Sequence, residues 1–457
     1  MKGRGVKRRL LRKGISPIRT LPMGYLCVVG LGTALLMLPA ASHGAPLHFL
    51  DALFTATSAS CVTGLVVVDT GTFFTPFGQG VLLLLIQVGG LGFMVVTSLL
   101  FLALGARVSL RGRMLLAEGT GNGRVQGVML LCRRVLALTF FCELLGAVLL
   151  SCRFVPLYGA AKGLWFSLFH SVSAFCNAGF DLIGGYQSLM PFAADGLVNF
   201  TVMGLIVIGG LGYRVVLELL SHRRNKQRLS VHARVVLYTT ALLIFGGAAL
   251  FWLFEYNNPA TLGGLPAPQQ ALRALFQSVT CRTAGFNTID QASLGEAGKL
   301  LSCLLMFIGG APAGTAGGVK LTTIALLLFT VRSLMRGRQE PEAFGRRFSQ
   351  NAMARALCVF LLGMGALLLS AVLIALAERG GALASFDFID KLYELVSALG
   401  TVGTSTGVTA AAGPVSRLVL CALMFMGRAG ILTIALAFGH EDEESAIRYP
   451  KDDIMIG

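Results

Sequence analysis

Long and short apolar runs alternate along this chain. Eight long runs, at about 21–41, 79–104, 128–151, 197–220, 232–256, 299–331, 352–378 and 414–438, each reach the roughly 20 residues that cross a bilayer as a helix. Four others, at about 50–62, 163–177, 270–282 and 388–400, are too short to cross. Apolar segments of that length suit re-entrant half-helices, and irregular backbone at membrane depth survives only when buried in protein or lining a water-filled cavity. The order is long, short, long, repeated four times. It predicts an all-α polytopic membrane protein: four pseudo-symmetric helix–pore loop–helix repeats around one central pore. The expected divisions are a basic N-terminus at 1–20, repeats at 21–105, 106–221, 222–337 and 338–440, and a tail at 441–457.

Each short run leads into a glycine. The copies are Cys61-Val62-Thr63-Gly64-Leu65, Cys176-Asn177-Ala178-Gly179-Phe180, Arg282-Thr283-Ala284-Gly285-Phe286 and Gly400-Thr401-Val402-Gly403-Thr404, with the glycines 115, 106 and 118 residues apart. A ring of peptide carbonyls can replace a cation's hydration shell. Turning successive carbonyls to one axis requires backbone angles that a Cβ resists. The candidate filter is therefore Val62, Thr63 and Gly64 with Asn177, Ala178 and Gly179, Thr283, Ala284 and Gly285, and Thr401, Val402 and Gly403. Thr401-Val402-Gly403 also begins the potassium-channel TVGYG loop. The C-terminal, negative end of each half-helix would aim at the pore and favour a cation.

A second landmark keeps phase with the first. The following spans contain Gly89-Gly90, Gly209-Gly210, Gly309-Gly310 and Gly427-Arg428, placed 25, 30, 24 and 24 residues after the loop glycines. Glycine-rich helix packing alone does not account for that phase. In the third repeat the run Gly309, Gly310, Ala311, Pro312, Ala313, Gly314, Thr315, Ala316, Gly317, Gly318 interrupts the span, because such a run cannot stay helical. Lying beneath the filter, it is a candidate gate. Arg428 takes the place of a glycine inside a span, where charge is costly and usually functional. Three readings are open to it: bonding the loop's carbonyls, acting as an electrostatic barrier, or pairing with a buried carboxylate. Lys320 either anchors the loop or snorkels to the interface.

Composition supports the membrane assignment: mean hydropathy is +0.74 and 13% of residues are charged, against about a quarter in soluble domains. The net charge of +16 does not imply nucleic acid, because its distribution is uneven. Residues 1–20 carry eight Lys/Arg, 104–134 six, 222–234 five and 332–355 six, whereas 42–77 carry none. That asymmetry predicts both termini in the cytoplasm and half-helices entering from outside. The basic N-terminus running into a full span is expected to be retained rather than cleaved. Asp51, Asp69, Asp181, Asp290, Asp387 and Asp390 fall in the outer segments and are candidates for concentrating cations. Glu143 and Glu218 are expected to pair with basic groups. The ten cysteines show no CxxC pair and read as small packing residues.

On these residues the chain resembles the Trk/Ktr/HKT superfamily of potassium transporters, nearest to the bacterial Ktr-type (KtrB) membrane subunits. The likeness is carried by Val62-Thr63-Gly64-Leu65, Asn177-Ala178-Gly179-Phe180, Thr283-Ala284-Gly285-Phe286, Thr401-Val402-Gly403, the run 309–318 with Lys320, Gly427-Arg428 and the tail from Arg448 to Gly457. It departs at Thr404, where Leu- or Phe-like residues are familiar. The resemblance implies potassium uptake across a bacterial plasma membrane, with K+ at the filter carbonyls and sodium as a candidate activator. It also implies a homodimer with one pore per subunit, and a cytoplasmic ring of nucleotide-sensing RCK-domain subunits (KtrA-like). The run 309–318 would be the intramembrane gating loop and Arg428 its associated arginine. No covalently bound cofactor is implied.

The rival reading is a secondary active carrier moving a small solute with a coupling ion, since carriers also break helices at midplane sites. Carriers usually repeat in halves, whereas this chain repeats in quarters. An enzyme is disfavoured: there is no HExxH, no buried acid pair and no Ser/His or Cys/His arrangement at plausible spacing; with no GxGxxG on a strand–helix unit, nucleotide sensing is not expected in this chain either.

Overall fold

The computed structural model describes residues 17–92, 128–225, 228–338 and 340–438. The expectations for most of the basic N-terminus, the far end of the 79–104 span and the C-terminal tail lie outside the described residues. The first quarter comprises α1 (Pro17–Leu36), α2 (Phe49–Ser60) and α3 (Pro76–Leu91). The second comprises α4 (Val128–Tyr158), α5 (Ala160–Phe175), α6 (Gly196–Gly210) and α7 (Tyr213–Asn225). The third comprises α8 (Val231–Glu255), α9 (Ala267–Thr280), α10 (Glu296–Phe307) and α11 (Leu321–Met335). A two-residue hairpin, β1 (Glu342–Ala343) with β2 (Arg346–Arg347), leads to the fourth: α12 (Gln350–Ala377), α13 (Phe388–Gly400), α14 (Pro414–Ala429) and α15 (Ile431–Phe438).

The starts of these helices follow from local chemistry. The Thr75 hydroxyl accepts from Gly78 N with Pro76 in the first turn of α3, and Asp195, Ser230 and Ser349 cap α6, α8 and α12 in the same way. Such caps satisfy amide groups the helix itself leaves unpaired.

Packing shows the fourfold plan and its closure. Each quarter's first helix lies against its own half-helix: α1 on α2, α4 on α5, α8 on α9 and α12 on α13. Each quarter's second helix then leans on the half-helix of the next quarter: α3 on α5, α6 on α9, α10 on α13 and α14 back on α2. The four short runs are thus the inner half-helices of an all-α, multi-pass membrane fold around one central pore. Helices α4, α8 and α12 are long and apolar enough to cross a bilayer unbroken.

Two spans expected to be continuous are not. The 197–220 run divides into α6 and α7, bent by 101°, and the 414–438 run into α14 and α15, bent by 99°. The bends fall at Gly212 (φ +83°) and Gly430 (φ +93°), and α3 likewise stops at Gly92 (φ +81°). All three take a backbone region that resists a Cβ. The equivalent position of the third quarter is Pro312, which cannot continue a helix. In the first, second and fourth quarters the second helix therefore breaks three residues after the first glycine of its pair, whereas α10 already ends at Phe307, two residues before Gly309, and the chain is not helical again until Leu321. Apolar content alone cannot distinguish a straight run from a bent one.

Candidate functional site

The four half-helices end in matching turns. After their last residues the chain enters the left-handed region at Val62 (φ 57°), Asn177 (φ 59°), Thr283 (φ 67°) and Thr401 (φ 51°), and again two residues later at Gly64, Gly179, Gly285 and Gly403. The four glycines meet in a closed ring. A Cβ built on Gly64 would lie 2.4 Å from Ala178 O, one on Gly179 2.8 Å from Ala284 O, one on Gly285 2.6 Å from Val402 O and one on Gly403 2.0 Å from Thr63 O. In chain order, each glycine thus abuts the carbonyl just before the next quarter's glycine, and the fourth abuts the first. No side chain fits there.

All twelve expected filter residues are buried and lie at or next to this ring. The hydroxyls of Thr63, Thr283 and Thr401 are buried there without a protein hydrogen-bond partner among the described residues. A buried polar atom without a partner costs about 1–3 kcal/mol, so oxygens left in this state suit a site that takes up dehydrated cations.

The sequence reading passed over a third set of positions. Near the C-terminal end of each half-helix a hydroxyl bonds the loop behind the ring: Ser58 Oγ accepts from Gly64 N at 3.0 Å, and Ser173 Oγ donates to Phe180 O at 2.7 Å. Thr280 Oγ1 donates to Phe286 O at 2.6 Å, and Ser397 Oγ donates to Thr404 O at 2.7 Å and accepts from Gly403 N at 3.1 Å. Three are serines six residues before the loop glycine; the third quarter uses a threonine five before. That spacing was visible in the sequence once the glycines were aligned.

Beneath the ring, residues 309–318 fold into an irregular loop bonded to the second and fourth quarters. Ala311 N and Thr315 N donate to Gly210 O (3.0 Å) and Gly209 O (3.2 Å), Tyr213 N donates to Ala313 O (3.0 Å), and Gly318 N donates to Gly427 O (3.2 Å). Thr315 Oγ1 donates to Asn177 Oδ1 at 2.9 Å. A Cβ on Gly317 would lie 2.1 Å from Thr401 Oγ1, and one on Gly310 2.4 Å from the Ala316 Cβ. Small residues here are a steric requirement.

Arg428 is held by backbone carbonyls. Its guanidinium donates to Thr315 O on the loop and to Gly89 O and Gly90 O at the end of α3. It joins the third and first quarters from the fourth, and its contacts are carbonyls rather than a carboxylate. Lys320 Nζ donates to Ala316 O at 2.8 Å, within the loop.

The acidic residues divide. Asp51 pairs with Arg417 and Asp390 with Lys299 (2.8 Å), so neither is a free charge at the mouth. Asp69 accepts from Gly185 N at 2.6 Å, stitching the first quarter's outer loop to the second's. Asp181 sits two residues beyond the ring glycine, in the loop outside the spanning helices, and accepts from Ile183 N at 3.1 Å. Desolvation, with Asp69 nearby, pushes its carboxyl up to about 6. Glu143 takes a hydrogen bond from Gln87 Nε2 at 3.3 Å, and Glu218 takes bonds from Ser230 N and Oγ. None of the ten cysteines is in a disulfide, and Cys61, Cys176 and Cys281 are buried at the half-helix ends.

Comparison with known proteins bears on what this arrangement belongs to. A family model described as "TrkH: Cation transport protein" matches residues 25–448. The "Potassium/sodium uptake protein NtpJ" of Enterococcus hirae is 38% identical over 455 residues, covering 99% of this chain and all of that protein. The "Ktr system potassium uptake protein B" of Bacillus subtilis is 38% identical over 442 residues, covering 97% of each. The crystal structure of the potassium transporter TrkH from Vibrio parahaemolyticus shares the fold with a TM-score of 0.70 at 18% identity, covering 93% of this chain and 85% of that one. With a matching family model and relatives of this identity across nearly its whole length, the chain belongs to the TrkH family of cation transport proteins, which are membrane transporters and not enzymes.

Proposed function

We propose that this protein carries potassium into a bacterial cell through its central pore, with K+ held by the carbonyls of residues 62–64, 177–179, 283–285 and 401–403. The closed ring of Gly64, Gly179, Gly285 and Gly403 carries this reading. Four converging loops surround a cation on all sides with oxygens, and the half-helix ends add negative potential. The names of the similar Enterococcus and Bacillus proteins, uptake systems for potassium/sodium and potassium, agree with that cargo.

In this reading the half-helix mouth is external and both termini are cytoplasmic, as the basic-residue asymmetry favours. The repeats divide at 21–105, 106–221, 222–337 and 338–440. Residues 309–318, Lys320 and Arg428 form the gate: they lie under the ring, and their bonds hold the loop across the path. The protein works as a homodimer, one pore per subunit, under a cytoplasmic RCK-domain ring (KtrA-like) that moves the gate, with sodium as an activator and no covalently bound cofactor.

The test is rescue of a potassium-uptake-deficient bacterium across micromolar to millimolar potassium, with and without sodium and an RCK partner. Growth at low potassium that requires the partner is the expected result. Membrane-inserted protein that supports no potassium flux under any of these conditions overturns the proposal.

A further inference from the structure

The four filter segments are not backed by the same chemistry. In three quarters the residue after the ring glycine is apolar and buried: Leu65, Phe180 and Phe286. In the fourth it is Thr404, fully buried. Ten residues before the ring glycine, the first two quarters carry the buried rings of Phe54 and Phe169, and the fourth carries Tyr393, also fully buried. The only change from Phe to Tyr is a hydroxyl, and burying one without partners would be costly.

That hydroxyl is fully engaged. Tyr393 Oη donates to Gln291 Oε1 at 2.8 Å and lies 3.0 Å from Thr404 Oγ1, whose proton has Tyr393 Oη or Met306 Sδ (3.3 Å) as acceptor. Gln291 and Gln277 exchange a reciprocal amide pair at 2.6 and 3.1 Å, and Gln291 Nε2 also donates to Ile289 O at 2.7 Å. Gln277 belongs to half-helix α9 and Gln291 to the loop after the third filter segment. Tyr393 belongs to α13, and Thr404 adjoins ring residue Gly403. The chain of bonds therefore crosses the seam between the third and fourth filter segments. It ends on Thr404, whose backbone carbonyl is itself held by Ser397.

We propose that Tyr393, with Gln291 and Gln277 behind it, is a specificity-determining positioning residue: the brace fixes the spacing of the third and fourth carbonyl strands and so sharpens discrimination between potassium and sodium. It touches no cation itself. Beyond the hydroxyl bonds that every quarter has, the side chains after the other ring glycines, Leu65, Phe180 and Phe286, pack by dispersion, whereas a directional bond in a low-dielectric interior holds a distance more stiffly. Cation discrimination at carbonyl cages rests on cavity size or on the number and field strength of the dipoles, and a loosened seam degrades either.

This inference rests on the proposed potassium pathway. Its test compares wild type, Tyr393→Phe, Thr404→Val and the double variant in proteoliposomes, reading rubidium uptake and its competition by sodium and potassium. Thermal unfolding in detergent reports the fold separately. The expected result is a fall of about fivefold in potassium-over-sodium preference for Tyr393→Phe, equivalent to about 1 kcal/mol, with maximal rubidium flux at or above the wild-type level. The double variant should lose no more than the larger single effect, because both changes cut one chain of bonds. Unchanged preference in both single variants, with wild-type flux and a normal melt, overturns the brace while leaving the pathway standing. A wild type without rubidium or potassium flux would instead remove the pathway. If Tyr393→Phe does not fold, Thr404→Val alone decides: an unchanged preference in it overturns the proposal.

Discussion

Thr315 Oγ1 donates to Asn177 Oδ1 across 2.9 Å, so the loop beneath the ring hangs from the base of the second filter segment. Gly317, two residues on, presses against Thr401 of the fourth. The second and fourth quarters are opposite one another in a ring that runs in chain order. The loop therefore bridges the second quarter to the fourth beneath the ring.

This predicts a graded response to loosening the sling. Thr315→Val removes one neutral hydrogen bond worth about 1 kcal/mol and should raise potassium flux about fivefold where the closed state dominates. Arg428→Ala removes contacts to Thr315 O, Gly89 O and Gly90 O together and should raise flux further. Deletion of 311–317 should do the same. Flux at the wild-type level in all three variants, with normal membrane insertion, would remove the gate assignment.

The ring glycines should be intolerant where other glycines are not. Gly64→Ser and Gly285→Ser place a side chain against Ala178 O and Val402 O in a left-handed backbone (φ +94° and +82°). Both should lower potassium-over-sodium preference about tenfold or abolish transport, an energy of about 1.4 kcal/mol or more. Gly365→Ala, in α12 with open space around its Cβ position, should leave uptake unchanged. Competitive uptake assays on the three variants decide the matter.

Asp181 predicts a pH dependence of cation capture. Its carboxyl is pushed up to about 6 by desolvation, with the Asp69 charge adding to the rise. Above that pH it is an anion at the mouth; as external pH falls through about 6 it takes up a proton and the local attraction weakens. Apparent potassium affinity should therefore drop between pH 7 and pH 5. Asp181→Asn should show the low affinity throughout and a flatter profile, measured as the half-saturating potassium concentration. For stability the sign is opposite to that of a salt-bridged carboxylate. The folded state retains the proton that the unfolded chain gives up, so the cost of the buried charge at neutral pH is relieved on acidification.

Lys299 and Asp390 form a nearly dry ion pair, their side chains 11% and 12% exposed, at the seam of α10 and α13. Lys299→Met leaves an unpaired carboxylate and should destabilise by about 3–5 kcal/mol. Lys299→Met with Asp390→Leu should recover most of that loss. Melting temperatures in detergent for the two variants and wild type report the difference.

The quarter plan and the ring positions could be read before the fold was known because glycine carries steric information: a Cβ collides wherever backbone crowds backbone, and that requirement recurs at a fixed phase. The bends at Gly212 and Gly430 were written in the same language, as a glycine three residues after the first glycine of each pair, but apolar content masked them. Ion pairs were less legible. Asp51 and Arg417 lie 366 residues apart, and nothing local to either announces the other. The expectation that Asp51 and Asp390 serve as free mouth charges failed for that reason. Glu143 bonds the amide of Gln87, because an amide can satisfy a carboxylate as well as a cation can.

The join between the last quarter and the first has a bearing on biosynthesis. Gly403 against Thr63, Arg417 against Asp51 and α14 against α2 are all made by residues that leave the ribosome at opposite ends of translation. A nascent chain stalled after three quarters holds an open arc, not a tunnel, so an unfinished copy cannot short-circuit the ion gradients of the membrane receiving it. Completion of the polypeptide is itself the event that makes the hole.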